Sequence, residues 1–143
     1  MKPVKLGDEM KLIVESKISN TLKGIEETLN VVLEKESITF EDLKNILEEL
    51  ESSFKILSQK WVLKILYSLL LKDSMSFNQI KKLLDVNSRT LALKLKELVK
   101  QGYVKRLVKQ GPPLRTYYTL TVKGRNTALL SIPLLYFITL FED

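Results

Sequence analysis

A mainly α-helical chain carrying one small β-hairpin is what the 143-residue sequence predicts, and three observations predict it. Apolar residues recur with helical spacing almost everywhere up to Gly102. From Tyr103 the pattern changes: two runs rich in Val, Tyr and Thr flank Gln110-Gly111-Pro112-Pro113-Leu114, a stretch too rich in Gly and Pro for anything but a loop. Between Ser76 and Gly124 the order is a short helix, a four-residue turn, a basic helix and the hairpin. That order defines a winged helix-turn-helix, of α+β class, here with a helical extension before it and a C-terminal helix after it.

The extension is expected to hold two helices. In the first, Ile18, Leu22, Ile25, Leu29 and Val32 step by 4, 3, 4, 3, a narrow seam of the kind two helices share, although Gly24 within it weakens the helix by about 1 kcal/mol relative to Ala. Thr39 reads as the cap of the second helix, with Asp42 three residues on imitating a capping box. Its seam is Leu43, Leu47, Leu50, Phe54 and Leu57. Two such seams fit a local antiparallel hairpin or a dimerisation arm, and periodicity does not choose between them.

Next comes a broad apolar face of Trp61, Ile65, Leu66, Leu69 and Leu70, with Ser58 either capping it or lying within one continuous helix. Asp73-Ser74 ends that helix, Met75–Phe77 forms a link, and Ser76 is the expected cap of the helix Phe77–Leu84, whose apolar set is Phe77, Ile80, Leu83 and Leu84. After the turn Asp85–Ser88, with Asn87 or Ser88 as cap, the basic helix buries Leu91, Leu95, Leu98 and Val99 and stops at Gly102. The last helix begins near Thr121–Lys123, and Pro133 either kinks it or opens a second helix capped by Ser131. The expected divisions are 1–57, an acidic helical extension; 58–125, the winged helix-turn-helix; and 126–143, an apolar C-terminal helix suited to dimerisation.

Charge gives this architecture a partner. The net charge is +6, but residues 1–57 hold 8 Lys/Arg against 12 Asp/Glu, a net of −4, whereas residues 58–143 hold 15 against 5, a net of +10. A basic half of that density, concentrated on a helix and a hairpin, is an electrostatic footprint for duplex DNA. A major groove admits one α-helix, and a helix-turn-helix presents the N-terminal end of its second helix to the base edges. The candidates there are Ser88, Arg89 and Thr90, then Lys94 one turn on. Arg89 can donate twice to guanine O6 and N7 or can hold a phosphate, and Ser88 and Thr90 serve as contacts or as caps. Lys81, Lys82, Lys94 and Lys96 are suited to neutralising phosphates. Lys105, Arg106, Lys109 and Arg115 alternate along the hairpin, so about half of them face the nucleic acid, with Arg115 the best placed for minor groove or backbone. Leu93 meets a thymine methyl or packs inward.

Several chemistries lack their parts. With no Cys, disulfides, thiolate metal sites and thiol switching are excluded, and with no His, zinc and imidazole catalysis lose their usual ligands and bases. Adjacent carboxylates such as Glu26-Glu27 diverge by about 100° on a helix, and no Gly-rich phosphate loop is present, so no enzymatic activity, cofactor or metal is expected. Asp8, Glu9 and Lys11 break any signal-peptide core, and the most apolar run, Ala128–Phe141, falls short of the ~18–20 residues that span a bilayer. A cytoplasmic protein away from membranes is the simple expectation.

The residues also resemble a family, the HxlR-type winged-helix transcriptional regulators, near the MarR and PadR regulators. Gln59-Lys60-Trp61 is similar to the family's Gly-Gly-Lys-Trp, and Ser76-Phe77-Asn78-Gln79-Ile80 to its Arg-Phe-Asn-Glu-Leu. Ser88-Arg89-Thr90-Leu91 through Leu95-Lys96-Glu97-Leu98, closed by Gly102-Tyr103-Val104, resembles its recognition helix and first wing strand. Pro112 to Thr121, with Gly124 beyond, resembles its Pro-Pro-Arg-Val-Glu-Tyr-Ser-Leu-Thr and following Gly. The likeness covers about residues 55–135. It implies a homodimer on a palindromic operator, with Arg89 and Arg115 on DNA and terminal helices building the dimer. The N-terminal cysteine with which many relatives sense electrophiles is missing, and the acidic extension is foreign to the family's compact form. A protein-interaction module within a transcription or replication assembly is the competing expectation. No operator, regulatory sign or small-molecule effector is legible.

Overall fold

A computed structural model describes residues 7–140, so Met1–Leu6 and the end of the apolar C-terminal run, Phe141, lie outside the described residues. Two compact units form: Ser52–Leu134, and the described part of Met1–Glu51 with Leu135–Asp143.

The unit Ser52–Leu134 carries the helix-turn-helix and wing. After the end of α2 (Phe40–Leu57) the chain turns through Ser58–Trp61 rather than running on as one helix. Trp61 sits just ahead of α3 (Val62–Lys72) at φ 78°, and its ring packs against the core from there. Ser58 does not cap α3; its hydroxyl donates to the Lys55 carbonyl at 3.0 Å. The link Met75–Phe77 includes a short strand, β1 (Ser74–Ser76). It pairs antiparallel with β3 (Arg115–Leu120), which also pairs with β2 (Val104–Lys109), giving the sheet order β1-β3-β2. The core lies between this sheet and the helices: Val62, Ile65, Leu66 and Leu69 of α3, Ile80 of α4 (Phe77–Leu84), and Leu91, Leu95 and Leu98 of α5 (Ser88–Lys100), closed by Met75, Val104 and Tyr118. Leu83 and Val99, expected inside, lie at the margins of their helical stripes and are exposed.

The final helix, α6 (Val122–Leu140), starts where Thr121 caps it: the Gly124 N–H donates to Thr121 Oγ1 at 3.0 Å. Ala128 is fully buried. Pro133 lies inside the helix without ending it, and Ser131 is not a new cap; its hydroxyl donates to the Ala128 carbonyl and meets the Tyr67 hydroxyl at 2.6 Å.

In the other unit, α1 (Asp8–Lys35) has no buried residue. Leu22, Ile25, Leu29 and Val32 of its seam remain 44–58% exposed, as do Leu43, Leu47 and Leu50 of α2 at 46–57%. The Thr39 cap is present with both halves of its box: the Asp42 N–H donates to Thr39 Oγ1 and the Thr39 N–H to the Asp42 carboxylate, each at 3.1 Å.

Candidate nucleic-acid interface

The turn between α4 and α5 is built by capping. The Ser76 hydroxyl accepts the Gln79 N–H while the Gln79 side chain accepts the Ser76 N–H at 2.8 Å, fixing the start of α4. Asp85 ends α4 in the left-handed region at φ 51°, a conformation that Asp tolerates better than most residues. Asn87 then caps α5, its side-chain oxygen accepting the Thr90 N–H at 2.9 Å. Ser88 is therefore the first helical residue, exposed at the tip, while Thr90 is half-buried. Lys81 and Lys82 lie exposed in the last turn of α4, where positive charge also complements the helix dipole.

Burial fixes how α5 is turned. With Leu91, Leu95 and Leu98 against the core, the outward residues are Arg89, Ala92, Leu93 and Lys96, all exposed. Their spacing, i, i+3, i+4, i+7, is that of a single helical face. Lys94 is on the flank instead: half-buried, it donates from Nζ to Gln59 Oε1 at 3.0 Å. Of the sequence candidates on α5, Ser88 and Arg89 are thus free at the tip and Lys94 is tethered. Helical arithmetic alone gives the Arg89–Lys96 face; the tether depends on a residue 35 positions earlier and leaves no local signal.

On the wing, register divides the cations. Lys105 is paired with Thr119 and Lys109 with Arg115, so Lys105, Lys109 and Arg115 belong to one sheet face, together with Leu107 and Tyr117. Arg106 stands opposite Tyr118 on the other face, where it borders a groove of about 340 Å³ shared with Phe77, Lys96 and Val99. All four basic wing residues are exposed. Two further cations surround Trp61, which no sequence reasoning singled out for charge: Lys60 and Lys64 lie 5.2 and 4.9 Å from its ring centre. The scattered aromatic residues serve mainly as core, with Tyr103 and Tyr118 buried and Trp61 and Phe77 packed on the core's edge.

Among the described residues no cluster of acidic side chains could hold a metal ion, and no helix is long and apolar enough to cross a membrane.

Known proteins share this fold. A family profile described as HxlR-like helix-turn-helix matches residues 56–137, more than half of the chain. The HTH-type transcriptional regulator YvaP of Bacillus subtilis is 40% identical over 79 residues, 54% of this chain and 72% of YvaP. Among solved structures, the reduced form of the transcriptional regulator YodB from B. subtilis is similar with a TM-score of 0.55 and 27% identity, over 66% of this chain and 93% of that one. A transcriptional regulator homologue from Pyrococcus horikoshii OT3 is similar with a TM-score of 0.56 and 29% identity, over 64% and 92%.

Proposed function

Since the chain belongs to the HxlR-like helix-turn-helix family of transcriptional regulators, we propose that it is a sequence-specific regulator that grips duplex DNA as a homodimer. The observation that carries this reading is the free outer face of α5, begun by Ser88 and Arg89, accompanied by Lys105, Lys109 and Arg115 on one face of the wing. A helix of this kind fits the major groove, and a two-stranded wing reaches the adjacent backbone or minor groove. Lys81 and Lys96 add phosphate contacts that hold the register without reading sequence. Lys94 joins them by exchanging the Gln59 amide for a phosphate oxygen. Arg106, on the sheet face turned toward α5, shares a groove with Lys96 and adds a cation beside that helix.

Homodimerisation is supported by apolar surface that one chain leaves open. The seam of α1 is about half exposed, and Leu129, Leu130 and Leu134 of α6 are between 42% and 70% exposed. Two copies related by a dyad would set their recognition helices about 34 Å apart, one turn of the duplex, on a pseudo-palindrome. A winged helix used only for protein contacts is disfavoured by the likeness to transcriptional regulators.

Fluorescence anisotropy with labelled duplex at rising salt tests the proposal. Affinity should fall steeply, with about −0.9 in the log–log slope for each phosphate neutralised. A nearly flat slope, or no binding to random duplex at micromolar protein and low salt, would refute it.

A further inference from the structure

The outward face of α5 is cationic only at its ends. Arg89 stands at the first turn and Lys96 two turns on, and the positions between them are Ala92 and Leu93. Leu93 is 59% exposed and is not part of the core that Leu91, Leu95 and Leu98 enter. An apolar side chain elsewhere on the surface would call for no explanation. Here it lies at the middle of an i, i+3, i+4, i+7 stripe, the spacing with which a groove helix meets base edges. Leucine can neither donate nor accept a hydrogen bond, so it reads nothing polar on a base. The major groove offers one apolar feature, the 5-methyl group of thymine. Ala92 beside it is small enough to let the helix backbone come near.

We propose that Leu93, flanked by Ala92, is a specificity-determining residue that contacts the thymine methyl group within each half-site, between the base met by Arg89 and the phosphate met by Lys96. The inference rests on the reading of α5 as a groove helix and adds a base preference to it. The methyl is then removed from water on both sides: the exposed part of Leu93 is covered, and the thymine methyl with it. A base lacking the methyl forfeits that contact while keeping every hydrogen-bonding group.

Deoxyuridine provides the matching probe, since it differs from thymidine by the methyl alone. Fragments retained by the full chain from a random duplex pool define the bound site, and each thymine in it is replaced in turn by deoxyuridine. At one position in each half-site the affinity should fall by about fourfold, the value of roughly one buried methyl group. Leu93→Ala should bind the thymine and uracil versions of that position equally, with its helical content by circular dichroism unchanged. Leu93→Met, which keeps a flexible apolar contact, should retain most of the difference. Equal binding of thymine and uracil at every position would overturn the inference, as would a Leu93→Ala protein that still distinguishes them. Failure of the native chain to bind any duplex would remove the DNA reading itself, and this one with it.

Discussion

Gly124 is buried where the chain has no room for a side chain, whereas Arg89 stands in the open, and each is sensitive to substitution for its own reason. A Cβ added at Gly124 would run into the Tyr103 carbonyl oxygen and come within 3.3 Å of Leu120 Cδ2. The obstacle is mainly backbone, held in place because the same carbonyl accepts the Thr121 N–H at 3.1 Å. Gly124→Ala should therefore destabilise the fold by about 1–3 kcal/mol, the usual cost of overpacking, despite the better helix propensity of alanine. The midpoint of urea unfolding measures it, and an unchanged midpoint would show that α6 simply shifts outward. Arg89 has the reverse character, exposed and free to be removed without harm to the core. Arg89→Ala should weaken the selected site by roughly tenfold to a hundredfold, and random duplex much less. Equal losses on both, read by competition binding, would assign Arg89 to a phosphate.

At the scale of elements, caps decide where helices begin, and one of them responds to acid. The backbone N–H of Thr39 and then its hydroxyl region hold the Asp42 carboxyl below the ordinary carboxylate range. A lowered acid stabilises the folded form at pH values above its unfolded pKa, and that contribution is lost as pH falls through the folded value. The first turn of α2 should accordingly fray in acid, with the Thr39 and Asp42 amide resonances moving together once the pH has fallen below the ordinary carboxylate range. Asp42→Asn should flatten that response. Capping was also the most legible part of the chain: Ser76 and Asn87 stand where side-chain oxygens precede an apolar stripe, and Gly102 adopts φ 82° at the end of α5. The strand β1 was not legible, because three residues are too few to show alternation and its partner lies more than 40 positions away. Trp61 was misleading in the same way, since an aromatic residue in helical phase with Ile65 in fact precedes the helix. For the interface, the free face of α5 follows from its period, whereas the tether on Lys94 and the division of the wing cations depend on tertiary pairing.

For the whole molecule, the half-exposed seam of α1 has a measurable outcome. The full chain should run at twice its monomer mass in light scattering, and replacing both Leu22 and Leu29 by Glu should move the mass toward that of one chain if the seam takes part in pairing. An unaltered mass would leave the pairing to other surfaces, the apolar side of α6 among them. The sheet order has a separate consequence. With β3 in the middle, β2 is a border strand whose outer backbone groups have no neighbour in the sheet, and three of its six residues are Lys105, Arg106 and Lys109. Mutual repulsion between such strands discourages stacking of one molecule onto the next through open hydrogen-bonding positions. Neutralising all three at once would then cost solubility as well as nucleic-acid affinity, and the precipitate would be recognisable by its growing β signal.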